Sequence, residues 1–149
     1  VRVVVEKLAA LVVMTVGLAA TLWIGLAGLA AAVRMDISAV RLAEATLGSA
    51  LLALVFGVLA LALGAATGKP GVSLGVTSAA ALITYLLNAL AAVTDKLEPY
   101  RVLSPFYYAT AADPLVNGLH AGHTAVLAGL IVLLSAAAVV LFRRRDLAV

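Results

Sequence analysis

Residues 45–68 read ATLGSALLALVFGVLALALGAATG, 24 consecutive positions without a charge. A helix that crosses a hydrocarbon core of about 30 Å needs about 20 mostly apolar residues. This stretch can therefore cross once, and it is too short to cross twice. Strands are a poor alternative, because a barrel needs many segments of alternating polarity. A helix satisfies its own backbone hydrogen bonds in lipid, where water cannot. Directly after it comes Gly68-Lys69-Pro70-Gly71, a tight turn in which glycine stops one helix and Pro70 starts the next.

Outward from this stretch the pattern repeats. Leu8–Val33, Pro70–Thr94 and Pro114–Phe142 are also free of charge, over 26, 25 and 29 residues. The expected fold is all-α: a polytopic membrane protein in a single domain, residues 1–149. Four transmembrane helices are expected at about 8–33, 45–67, 71–94 and 119–142. The first stretch is too long for the apolar part of a signal peptide, and the next span follows without a persuasive processing boundary. Composition agrees with this reading. Of 149 residues, 65% are hydrophobic and 11% charged, whereas soluble domains carry about 25% charge. A water-soluble globule and a disordered chain are both excluded.

The connectors carry the remaining information. Arg34 to Glu44 reads as a short interfacial helix, capped by Asp36 or Ser38, with Arg41 and Glu44 paired at i,i+3. Residues 96–118 hold Pro99, Pro105 and Pro114 with Tyr100, Phe106, Tyr107 and Tyr108. Prolines break this segment into pieces, and aromatic rings suit the headgroup level. One or two short helices, lying on or dipping into the outer interface, are expected there.

Charge sets the expected orientation. One side carries Arg2, Lys7, Lys69, Arg143, Arg144 and Arg145 against Glu6 and Asp146. The other carries Arg34, Arg41, Lys96 and Arg101 against Asp36, Glu44, Asp95, Glu98 and Asp113. The excess of cations predicts that the N- and C-termini are cytoplasmic. It also accounts for the basic balance better than a phosphate-binding patch, so no nucleic-acid partner is expected.

Chemistry-bearing residues are few. With no cysteine, disulfides, thiolate metal sites and cysteine nucleophiles are excluded. His120 and His123 would share a helix face, and with Asp113 they could form part of a metal site or a proton relay. The plainer reading is two interfacial histidines beside a turn. Thr15, Thr21, Ser49, Thr77, Ser78, Thr84 and Ser135 are expected to bond backbone carbonyls or neighbouring helices. Asn88 and Tyr85 could line a path. Gly64/Gly68, Gly71/Gly75 and Gly118/Gly122 match a small-x-x-x-small spacing, a weak signal in a chain this rich in glycine and alanine. No phosphate loop, nucleophile elbow or zinc-protease motif occurs. No Asp, Glu, Lys or Arg lies inside the four stretches, where an ion-coupled pump normally keeps one. No catalytic, cofactor or metal residue is therefore expected, and any energy for transport must come from another chain.

Several segments resemble a known family. The glycine turn precedes a span ending Leu86-Leu87-Asn88-Ala89-Leu90. Leu97-Glu98-Pro99-Tyr100-Arg101-Val102-Leu103-Ser104-Pro105-Phe106-Tyr107-Tyr108 follows, then Ala112-Asp113-Pro114-Leu115, and the last span runs into Phe142-Arg143-Arg144-Arg145-Asp146-Leu147. This looks like the C-terminal part of a permease subunit of the type-2, export-class ATP-binding-cassette transporters. Val1–Lys7 resembles the lead into the third of that family's six spans, so the four spans here would match its third to sixth. The resemblance then implies a truncated subunit, a fragment, or one part of a split one. It implies a multi-pass protein of the bacterial plasma (inner) membrane, with no enzymatic activity of its own. Its partners would be a cytoplasmic ATPase subunit, a second permease subunit and membrane lipid. The segment at about Glu98–Gly118 would close the outer end. Two other classes stay open on the residues alone: an intramembrane metal-dependent enzyme using His120, His123 and Asp113, and a membrane assembly protein that transports nothing.

Overall fold

The computed structural model describes residues 2–111 and 113–146, with side chains as far as residue 144. Ala112, the side chains of Arg145 and Asp146, and residues 1 and 147–149 lie outside the described residues. Among the described residues all regular structure is helical. The order is α1 (Arg2–Ala32), α2 (Ala39–Thr67), α3 (Pro70–Ala91), a 3-10 helix (Glu98–Leu103), α4 (Pro105–Thr110), α5 (Pro114–Asn117) and α6 (Ala121–Asp146). The four long helices α1, α2, α3 and α6 are each apolar and long enough to span a membrane. The protein is an all-α polytopic membrane protein.

Helix ends follow local chemistry rather than the positions of the charges. α1 is helical from Arg2, the first described residue, through the charged residues Glu6 and Lys7, and Arg2 Nε bonds Glu6 Oε1 one turn on at 2.8 Å. α2 ends where Gly68 adopts a left-handed φ of 64° and donates its N–H to the Gly64 carbonyl. Pro70 then opens α3 at a position where its missing N–H costs nothing. The separate interfacial helix expected at 34–44 does not form. Arg34 turns the chain at φ 54°, and a loop leads to Ser38, whose Oγ accepts from the Arg41 N–H at 3.2 Å. From Ala39 the helix runs unbroken into the apolar stretch. No glycine or proline stands between Ser38 and Leu47 to interrupt it.

α2 is the central element, packed against α6 most extensively and also against α1 and α3. Small residues make these approaches close. Gly57 faces Leu11 of α1 so tightly that a Cβ there would sit 3.0 Å from its side chain. At the α2–α3 contact Gly64 faces Ser73, whose hydroxyl donates to the Ala60 carbonyl. Two buried clusters hold the bundle: Val4, Ala62 and Ala138 toward the chain termini, and Val55, Ala109 and Leu127 further along. Trp23 Nε1 donates to the Ala39 carbonyl at 2.9 Å and ties the end of α1 to the start of α2.

The outside of the bundle is as apolar as its inside. Val13, Met14, Leu18, Ile83, Val132 and Leu133 all lie well exposed. In water this would be a large aggregation-prone patch, whereas in lipid such side chains need no cover. Thr15, Thr21, Thr46, Ser49, Thr84 and Ser135 each donate to the carbonyl four residues back, as expected, whereas Thr77 Oγ1 is buried without a hydrogen-bond partner among the described residues. The start of α1, the end of α6 and the Gly68 turn share one end of the bundle, the terminal end. The 33–38 loop and the short helices lie at the opposite, distal end.

Candidate functional site: a re-entrant element at the distal end

Between α3 and α6 the chain folds back into the bundle. Proline sets each step: Pro99 lies in the first turn of the 3-10 helix, Pro105 opens α4 and Pro114 opens α5. Each ring fixes φ at a helix start and removes an N–H that would otherwise be orphaned. Three short pieces result, where one or two were expected.

The depth of this segment comes from its side chains. Phe106 places its ring 5.6 Å from Phe56 and 5.5 Å, edge-on, from Tyr85. Phe56 lies 17 residues into α2, about 25 Å along the axis at about 1.5 Å per residue. Ala109 is buried against Val55 and Leu127, and its carbonyl oxygen lies 3.6 Å from where a Gly48 Cβ would stand. α4 is therefore inserted among α2, α3 and α6, well below the start of α2. It is a re-entrant element rather than one lying flat on the surface.

Two polar contacts fasten it to α3. Ser104 is fully buried, and its Oγ donates to the Thr84 carbonyl at 2.7 Å. Arg101 Nε donates to Asn88 Oδ1 at 3.0 Å, and the same guanidinium lies 5.3 Å from the Tyr107 ring centre. Non-helical backbone at membrane depth is tolerated only where protein surrounds it, and these contacts supply that surround. Beyond α4, Asp113 takes a left-handed φ of 45° before Pro114. Gly118, at φ 82°, then lies directly on the Arg41–Glu44 ion pair.

His120 and His123 do come together, with ring centres 4.7 Å apart. His123 also contacts Tyr107 and Tyr108, at 5.3 Å and 5.4 Å. Its Nδ1 is buried without a hydrogen-bond partner among the described residues. Asp113 does not complete a site with them: among the described residues no group of three or more His, Cys, Asp or Glu could hold a metal ion. The pair forms part of an aromatic cluster that seats α4 against α6. Asn88 is engaged with Arg101, while Tyr85 is half exposed beside Phe106.

Sequence reasoning passed over the roles of Ser104, Phe56 and the Arg101–Asn88 pair. Ser104 stands before Pro105, which reads as a helix cap, yet its hydroxyl makes no capping bond and reaches α3 instead. A cavity of about 390 Å³ opens beside the element, lined by Glu98, Pro99, Arg101, Val102 and Tyr107. Chemically the arrangement offers no paired nucleophile and base. It offers an aromatic cluster with Arg101 at its edge, held to α3 by two polar bonds. No protein-family model, curated protein or solved structure matches this chain.

Proposed function

We propose that the chain is a transmembrane permease subunit of an ATP-driven exporter of the type-2 ATP-binding-cassette class. In this reading it forms a translocation pathway with a second permease subunit, and a separate cytoplasmic ATPase supplies the energy. The membrane is the bacterial inner membrane, with both termini on its cytoplasmic side. The observation that carries the reading is the re-entrant element. A piece of chain inserted among three spans and fastened by Ser104 and Arg101 is suited to closing one end of a pathway and to releasing it when the helices shift. The uncharged stretches add to this, since they hold no Asp, Glu, Lys or Arg, the groups that ion-coupled pumps normally keep at membrane depth.

Affinity purification of the tagged chain from its native membranes in mild detergent tests the proposal. An ATP-binding-cassette subunit and ATP hydrolysis should copurify with it. An intact complex with no ATP-hydrolysing partner would overturn the reading.

A further inference from the structure

A second cavity, of about 430 Å³, opens at the terminal end among α1, α2, α3 and α6. That volume falls in the range of about 300–1,000 Å³ usual for small-molecule sites. Its walls include Lys7, Ala60, Gly64, Ser73, Leu74 and Phe142. We propose that this cleft binds one anionic glycerophospholipid, with an acyl chain along the α2–α3 wall and the phosphate at Lys7.

The lining chemistry selects that class of ligand. The wall is almost wholly apolar, and its one hydroxyl, that of Ser73, is already committed to the Ala60 carbonyl. A polar solute would find few partners there and would lose its hydration on entering. An acyl chain loses nothing. Small residues at Ala60 and Gly64 hollow the wall where a chain would lie. At the rim stands Lys7, which has no ion-pair partner among the described residues. Lys69 follows Gly68 at the turn, and Arg143 and Arg144 follow Phe142. By sequence this end carries six cations against Glu6 and Asp146, and Arg2 is the one paired with Glu6. Basic rims on clefts between membrane helices favour acidic headgroups, at about 1 kcal/mol for each Lys or Arg near the surface. The inference does not rest on the transport reading, since it uses only the cleft and its charges.

Fluorescence quenching by brominated lipid tests it. Leu74 lines the cleft yet is 65% exposed, so Leu74→Trp is tolerated by the packing. Combined with Trp23→Phe it leaves one tryptophan in the chain. The protein is placed in mixed phosphatidylcholine–phosphatidylglycerol vesicles with one of the two lipids brominated. The expected result is a preference of about fivefold for phosphatidylglycerol at this reporter, the factor that corresponds to about 1 kcal/mol. Lys7→Gln should bring the ratio close to one. A reporter on the same helix outside the cleft, Ile83→Trp, should show no preference. The proposal is overturned if Leu74→Trp shows no preference, if Ile83→Trp shows the same one, or if Lys7→Gln leaves it intact.

Discussion

Gly118 is a position where backbone and packing make the same demand. Its φ of 82° lies in the region that L side chains avoid, and a Cβ would run into Arg41 Nη1. Gly118→Ala should therefore cost about 1–3 kcal/mol from the backbone alone, with the Arg41–Glu44 pair displaced as well. Thermal unfolding in detergent reads this directly. Gly25→Ala, at a helical glycine with open space around it, should leave the midpoint unchanged or raise it slightly. Ser104→Ala removes one buried hydrogen bond and should cost about 1 kcal/mol in the same assay. An unchanged midpoint would mean that the Thr84 contact contributes nothing. Asn117-Gly118 is a turn signal readable in the sequence. The ion pair beneath it is readable too, as an i,i+3 spacing. That the two meet is not, because they lie more than seventy residues apart and no periodicity links them.

The re-entrant segment shows the same limit for a whole element. Its three prolines and clustered aromatics mark it as broken and amphipathic, and the structure has such a segment. Its depth is set by Phe106 against Phe56 and by Ser104 against Thr84, contacts that composition cannot reveal. The failed interfacial helix at 34–44 is the converse case. Its charges suggest an element boundary, but Arg41 and Glu44 are good helix formers and α2 passes through them. At this scale Arg101 is the deciding residue, since it joins the 3-10 helix to Asn88 and lies against Tyr107. Arg101→Leu keeps some of the side chain's bulk but removes both interactions. Amide hydrogen exchange over residues 98–110 should then quicken by about tenfold or more, given about 1.5–3 kcal/mol for a hydrogen bond from a charged group. Exchange in the middle of α2 should stay as it is. Equal rates in variant and parent would show that α4 is held by its aromatic contacts alone.

For the molecule as a whole, the distribution of charge and the path of the chain make one joint prediction. Four consecutive spanning helices place residues 33–38 and 92–97 on one side of the membrane, and the Gly68 turn on the other with the start of α1 and the end of α6. The side holding Lys69 also holds the triple arginine, and therefore the excess of cations that orients membrane proteins toward the cytoplasm. The chain has no cysteine, so any thiol introduced into it is the only one. In intact cells an impermeant maleimide should label Asp36→Cys and Lys96→Cys, and should reach Lys69→Cys only after the membrane is opened. These positions lie in loops or turns clear of the packed faces, so labelling reports sidedness rather than burial. Labelling of Asp36→Cys and Lys96→Cys from opposite sides would contradict two crossings between them. Labelling of Lys69→Cys in intact cells, with the other two protected, would preserve the fold and reverse its orientation. A reversed protein would turn the re-entrant element toward the cytoplasm and the triple arginine away from it. The permease reading could not survive that result, because the ATPase would face that element.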